Sequence, residues 1–282
     1  MNEFSKNVVQ QRMRLDGRIA LITGGAGLLG IQHAEAIAEM GGIPILLDIN
    51  DKIVREKAAE IASKYNVPAS GFYADITKKE MLQSVQSEIE QKVGPVEILI
   101  NNAANNPKVE GGYDAKNWTR FENLPISVWQ DDLDVGLTGA FLCSQLFGSV
   151  MAKRKRGVIL NIASDLAVIA PDQRIYAESG LPEEEQNVKP VTYSVVKTGL
   201  LGLTRYLATY WADKCVRVNA LSPGGVYTGQ DEAFVKRLSN LIPMGRMAAK
   251  DEYRAAVVFL VSDASSFMTG ANLIIEGGRT IW

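Results

Sequence analysis

The sequence predicts an α/β protein: one doubly wound parallel sheet with helices on both faces, in a single domain. Three observations carry that expectation. Seven short runs rich in Val, Ile and Leu alternate with amphipathic helical stretches. The runs are almost continuously apolar, as strands buried on both faces are, and lack the strict alternation of a one-sided sheet. A glycine-rich turn joins the first run to the first long helix. At 282 residues, one large core is the default.

Taken in order, the chain opens with a polar extension of mixed charge at 1–16 and continues as one domain at 17–282. The strands are expected in "RIALITG" from Arg18, "IPILLDI" from Ile43, "GFYADI" from Gly71, "VEILINNAA" from Val96, "GVILNIAS" from Gly157, "VRVNALSPG" from Val216 and "NLIIEGG" from Asn272. Segments such as "IQHAEAIAEM" and "KKEMLQSVQSEIEQKV" supply the helices between them, by their apolar spacing at three and four. The basic run "KRKR" at 153–156 complements the negative C-terminal end of a helix that stops before Gly157. In such a sheet, ligands bind outside the carboxyl ends of the strands, and every polar motif below falls at such an end.

The turn after the first strand, "TGGAGLLG", fits two nucleotide-binding spellings at once. From Gly25 it reads G-x-G-x-x-G; from Thr23 it reads T-G-x-x-G-x-x-G, through Gly24, Gly27 and Gly30. Either way, glycines let backbone N–H groups approach a pyrophosphate at the positive end of the next helix. Asp48 ends the second strand, where a carboxylate accepts from ribose hydroxyls and repels a 2′-phosphate, which selects NAD over NADP. Asp75, ending "GFYAD", is placed near the adenine edge with Ile76.

Composition excludes several classes of function. The net charge of −2, from 30 basic and 32 acidic side chains, gives no electrostatic reason to expect nucleic acid or an anionic membrane as partner. No apolar run reads as membrane-spanning, and the start has no signal core, so a cytoplasmic location is expected. The two cysteines, Cys143 and Cys215, form no C-x-x-C and read as reduced thiols, neither of them a nucleophile. The single histidine, His33, reads as a helix-surface or packing residue, which leaves no imidazole for a zinc site or a Ser-His-Asp triad. No metal is expected.

In "TYSVVKTGLLGLTRYLA", Tyr193 and Lys197 stand four apart on an expected helix and share a face. A neighbouring ammonium favours the phenolate, so the pair is expected to move protons without histidine.

With these motifs, the chain resembles the short-chain dehydrogenase/reductase family over nearly its whole length. The resemblance rests on the glycine turn, "NNAA" (Asn101, Asn102, Ala103, Ala104), Ser164 in "NIAS", Y-x-x-x-K, "PGGVYT" at 223–228 and "TGANLIIEGG". It implies a Rossmann-type fold and NAD-dependent interconversion of an alcohol and a carbonyl. Tyr193 would be the general acid or base, Lys197 would lower its pKa and hold the nicotinamide ribose, and Ser164 would hydrogen-bond the substrate oxygen. The cofactor would be met by Thr23, Gly24, Gly27, Leu28, Leu29, Gly30, Asp48, Asp75, Ile76, Asn102, Ala103, Pro223, Gly224, Val226 and Thr228, besides Tyr193 and Lys197. It also implies a homodimer or homotetramer, with the terminal "TIW" available to an interface.

The match has departures. The compact branch usually has glycine where Leu28 stands, whereas Gly24, Gly27 and Gly30 follow the extended branch, rich in epimerases and dehydratases. Gly136 in "LDVGLTG" replaces the family asparagine that helps hold a relay water, which puts relay geometry in question. Asp165 follows Ser164 where an uncharged residue is common, and reads either as an acceptor for a substrate hydroxyl or amine or as a solvated loop carboxylate. The stretch before Tyr193 is long, with an inserted loop at about 171–190; that loop and "NNPKVEGGYDAKNWTRFE" would rim the substrate mouth. Polar loops, the extended-type turn and a general similarity to bacterial surface-sugar biosynthesis reductases point to a sugar or sugar derivative. An epimerase or dehydratase holding NAD tightly, or a catalytically silent NAD-binding regulator, are the alternative readings.

Overall fold

The computed structural model describes residues 8–105, 117–178 and 180–282; residues 1–7 of the extension and 106–116 of the first polar loop lie outside them. All seven apolar runs are strands: β1 (Ile19–Thr23), β2 (Ile43–Asp48), β3 (Ser70–Tyr73), β4 (Ile98–Asn101), β5 (Gly157–Ile162), β6 (Val216–Pro223) and β7 (Asn272–Ile275). They form one parallel sheet in the order β3-β2-β1-β4-β5-β6-β7. The winding reverses between β1 and β4, which opens a crevice above their carboxyl ends. Register brings those ends level: Thr23 pairs with Leu47, Asn101 with Asn161, and Ile162 with Leu221.

The helices are α1 (Val8–Met13), α2 (Leu28–Glu39), α3 (Asp51–Tyr65), α4 (Lys79–Lys92), α5 (Ile126–Arg154), α6 (Val191–Tyr210), α7 (Glu232–Ser239) and α8 (Arg254–Val261). Successive strand residues face opposite helical layers, and both layers are core. Leu21, Leu47, Leu99 and Ile159 pack with Leu82, Ile89 and Phe147 on one side. Ile22, Leu46, Ile100 and Leu160 pack with Ala34, Ile37, Tyr253 and Val257 on the other. Burial on both faces is the physical reason the strands read as continuous apolar runs.

Two features add detail to the expectations. By length and composition α5 is apolar enough to cross a bilayer, with mean hydropathy 1.5, although no run in the sequence was read that way. Half of its most apolar stretch is buried, and Leu142, Cys143, Phe147 and Met151 belong to a core layer, which accounts for its apolar character. The extension, for its part, is tied down: Leu15 is fully buried and its N–H donates to Met40 O at 2.9 Å. At the end of α5, Lys155 takes a left-handed conformation, and Arg156 turns to Glu97 at 2.9 Å.

Candidate active site

The glycine turn leaves β1 and enters α2 through Gly27. Gly24 has φ +60°, and a Cβ there would stand 2.9 Å from Ala103 Cα. A Cβ on Gly30 would strike the Gly24 carbonyl, so α2 can approach the turn only with glycine at both places. The turn is clamped from β4: the Asn102 amide donates to Thr23 O at 3.0 Å and Gly24 O at 3.2 Å, while Thr23 Oγ1 accepts from the N–H groups of Asn102 and Ala103. Thr23 and Gly30 therefore hold the shape of the turn. The Thr23 hydroxyl is engaged across the sheet by these bonds.

Asp48 closes the same turn from β2, accepting from Ala26 N–H and Asn50 N–H at 3.1 Å each. Asp75 accepts from the N–H and hydroxyl of Thr77, at 2.9 and 2.7 Å. Above these ends lies a cleft of about 660 Å³, lined by Gly24, Gly27, Leu28, Leu29, Asp48, Asp75, Ile76, Asn102 and Ala103 among others. Its shape suits a dinucleotide. It offers a turn too tight for side chains, the amides of the first turn of α2, and a carboxylate at the end of β2.

A second cavity of about 350 Å³ shares Leu28, Leu29, Asn102 and Ala104 with the cleft, so the two adjoin. Ser164, Tyr193 and Lys197 line it together, as do Pro223, Gly224, Val226 and Thr228. The helix α6 starts directly after Pro190, and its first two turns carry Tyr193 and Lys197. Lys197 Nζ donates to Ile162 O at 2.8 Å, which ties α6 to β5 just before Ser164.

Charge in this cavity departs from the sequence reading. Burial pushes the Lys197 ammonium down to about 8, helped by repulsion from Lys189. It stands 5.8 Å from the centroid of the Tyr193 ring. Lys189 Nζ lies closer, at 4.0 Å over the ring, and is itself pushed down to about 8 by burial. The Tyr193 phenol sits above its ordinary value: burial raises it, the Ser164 hydroxyl pulls it down, and the Asp165 charge raises it again. The expected lowering by Lys197 does not enter this balance, which burial, Ser164 and Asp165 set.

Asp165 is not a solvated loop carboxylate. It is 3% exposed; one oxygen accepts from the Ser164 hydroxyl at 2.8 Å and from Leu166 N–H at 2.9 Å. The other accepts from Arg279 Nη1 at 2.7 Å, inside the protein. Arg279 comes from the tail after β7, and it lines the cavity with Tyr176 and Lys189. Sequence reasoning missed these three. Lys189 stands four before Tyr193, but the helix begins only after Pro190, its N-cap, so Lys189 lies outside it and helical spacing gave no signal. The insert that carries Tyr176 and Lys189 is anchored through Ile175, which packs with Leu238, Ile242 and Met247.

Gly136 has a packing reason: a Cβ there would collide with Cγ1 of Val196, the neighbour of Lys197 on α6. It lies in a π-type stretch of α5 (Asp134–Thr138). His33 is buried, and burial pushes its imidazole down to about 4 against a smaller opposing pull from Asn102. Burial likewise pushes the Cys143 thiol up to about 12.

Sheet order, clamped glycine turn and adjoining cavity define an α/β protein of the dinucleotide-dependent oxidoreductase class. The sequence model of the short chain dehydrogenase family matches residues 18–238, and the chain belongs to that family. It is 33% identical over 286 residues to D-threitol dehydrogenase of Mycolicibacterium smegmatis, covering all of both chains. It is 34% identical over 272 residues to the NAD-dependent glycerol dehydrogenase of Listeria innocua, covering 94% of each. A crystal structure of gluconate 5-dehydrogenase from Burkholderia cenocepacia, in complex with NADP and tartrate, superposes with a TM-score of 0.80 at 27% identity, covering 96% of this chain and 98% of that one. The chain is an oxidoreductase of the short-chain type, similar to enzymes acting on sugar-like alcohols.

Proposed function

We propose that the protein is an NAD-dependent dehydrogenase that interconverts a secondary alcohol and a carbonyl on a polyol or other sugar derivative. The observation that carries this reading is the convergence of Ser164, Tyr193 and Lys197 on one cavity that adjoins the glycine-turn cleft. NAD, when bound, supplies the hydride acceptor. The chain's own residues do the rest. Ser164 orients the substrate oxygen, Tyr193 takes the hydroxyl proton, and Lys197 holds a positive charge beside it. The wall also carries Lys189 and Tyr176 beside the Asp165–Arg279 pair, a polar lining that suits a substrate with several hydroxyls.

NAD is favoured over NADP by Asp48, whose carboxylate borders the cleft where a 2′-phosphate would lie. A homodimer or homotetramer is supported by the exposed aromatic side chains of Phe141 on α5 and Tyr206 and Tyr210 on α6, the last two stacked at 5.7 Å. The test is a panel of polyols, sugars and sugar acids with NAD and with NADP, followed by reduced-nucleotide absorbance. Polyol-dependent NAD reduction is expected; conversion of a sugar with no net reduction would replace the reading by an epimerase. Calorimetry should show Asp48→Ala binding NAD more weakly and preferring it less over NADP, and equal NAD affinity in the two proteins would remove Asp48 from the assignment.

A further inference from the structure

Among its described residues, the cavity that holds Ser164 and Tyr193 contains one carboxylate, Asp165, next to Ser164 in the chain. Asp165 is deeply buried, and so is its partner Arg279, with side chains 4% and 8% exposed. A buried ion pair is weak evidence of a stabilising role, since apolar residues of the same shape often pack as well or better. A pair kept in the wall of a substrate cavity has another use for its polar atoms.

A carboxylate has about four acceptor sites, two on each oxygen. Asp165 Oδ1 uses both of its sites, on the Ser164 hydroxyl at 2.8 Å and on Leu166 N–H at 2.9 Å. Oδ2 uses one, on Arg279 Nη1 at 2.7 Å, which leaves one acceptor site among the described residues. Arg279 in turn has guanidinium donors beyond the one at Nη1. An acceptor and donors thus stand side by side, and a hydroxyl answers both: it gives its proton to the carboxylate and accepts from the guanidinium. An ammonium is a poor occupant, because Arg279 is bonded to the same carboxylate and Lys189 and Lys197 line the same cavity. The pair is held from the tail, where Glu276 accepts from Arg279 N–H and from the Thr280 hydroxyl, and left-handed conformations at Gly277 and Gly278 turn the chain.

We propose that the Asp165–Arg279 pair reads the hydroxyl on the carbon next to the one that is oxidised, so that the substrates are vicinal diols. The inference rests on the proposed role of Ser164 at the reacting oxygen. Ser164 Oγ and Asp165 Oδ1 are a single hydrogen bond apart, so the group that meets the carboxylate belongs to the neighbouring carbon and not to a remote part of the substrate. The reacting hydroxyl lies at Ser164 and Tyr193; its neighbour donates to Asp165 Oδ2 and accepts from Arg279. Neither residue exchanges a proton or hydride, and their part is specificity. A substrate with only hydrogen at that carbon leaves buried polar groups without their partner. A site built to bond a hydroxyl rejects the analogue lacking it far more strongly than an apolar pocket rejects a lost methylene.

Butane-2,3-diol and butane-1,3-diol are isomers that differ in the spacing of their hydroxyls, and butan-2-ol lacks the second one. They are compared with NAD and with NADP as acceptor, and with D-threitol and glycerol as reference alcohols. Wild-type kcat/KM for the best stereoisomer of butane-2,3-diol should exceed that for butane-1,3-diol about 10²-fold, less than a wholly unpartnered site would give because Asp165 and Arg279 keep each other. Butan-2-ol should match butane-1,3-diol. In the double variant Asp165→Leu, Arg279→Met, which nearly keeps both shapes and strands no charge, the ratio between the isomers should collapse toward parity. A structural defect lowers both isomers alike and leaves the ratio, so the ratio reports recognition. If the double variant melts early, a crystal structure of the wild-type protein with NAD and D-threitol serves in its place: the hydroxyl next to the one at Ser164 should lie within hydrogen-bond distance of Asp165 Oδ2. Comparable kcat/KM for the two isomers in the wild type, an unchanged ratio in the double variant, or D-threitol bound without that contact would overturn the inference alone. No reduction of either nucleotide with any of these alcohols would overturn the dehydrogenase reading, and the inference with it.

Discussion

The two ends of the cleft are built by different physics. At the glycine-turn end, shape is set by backbone: positive φ at Gly24, close approach at Gly30, and a lattice of neutral hydrogen bonds from Asn102 and Thr23. Asp48, at the end of β2, accepts there from the backbone N–H groups of Ala26 and Asn50. At the Tyr193 end, buried charge does the shaping. Lys197 and Lys189 flank the tyrosine, and the Asp165–Arg279 pair holds the serine. The contrast follows from the tasks. A pyrophosphate needs donors at fixed places, whereas proton transfer needs groups whose pKa values are moved by burial and neighbours.

The comparison breaks most visibly at Tyr193. Tyr193→Phe keeps the packing but removes the transferable proton, so turnover should drop by roughly 10² to 10⁴ while NAD still binds. Steady-state rates and calorimetry on the same preparation measure both ends. Loss of NAD affinity in parallel with turnover would mean that the two ends are not separable in this way.

Arg279 is the next probe. Arg279→Met strands the Asp165 carboxylate inside the protein, and breaking one side of a buried pair costs about 3–5 kcal/mol. Urea unfolding should show that loss, with much of it recovered in the Arg279→Met, Asp165→Asn double variant, because the double change leaves no stranded charge. An additive double variant would show that the pair is not coupled.

A smaller effect is expected at the joint between the two ends. Gly136→Asn forces Val196, a stiff β-branched side chain, away from its place beside Lys197, an overpacking of about 1–3 kcal/mol. Adding Val196→Ala should return part of that stability. An unshifted melt for Gly136→Asn alone would show that α5 and α6 part without cost.

His33 gives the smallest and most pH-bound effect. Its folded value near 4 lies below the ordinary 6.5, so between the two the unfolded chain binds a proton that the folded chain does not. Stability is full above about 6.5 and is lost as pH falls toward 4. His33→Leu should lack that component, and the difference in unfolding free energy between the two proteins should change across this window. A constant difference from pH 7 to pH 4 would refute the shift.

How much of this was legible beforehand differs between the ends. Contiguous motifs wrote the nucleotide end: the turn, Asp48 and Asn102 each sit within a few residues of a strand end, and strand ends are visible as the close of apolar runs. The residues that tune the catalytic end were not visible, since Arg279 is 114 positions from Asp165 and Lys189 lies across a proline from α6. Asp165 shows the limit most clearly, because its residue type favours exposure and only its partner makes burial tolerable.

The sequence by itself determined the seven strands, their parallel, doubly covered arrangement, the helix bearing Tyr193 and Lys197 four apart, and the place of the glycine turn. These follow from periodicity and local chain stereochemistry, which act over a few residues and so are written locally. Only the tertiary structure decided which charges are buried together, which ammonium lies over the tyrosine ring, why position 136 bears no side chain, and that α5 owes its apolar character to the core. Those outcomes depend on desolvation and contact between segments far apart in the chain, and no local pattern encodes the distance between two side chains that only the packed sheet brings together.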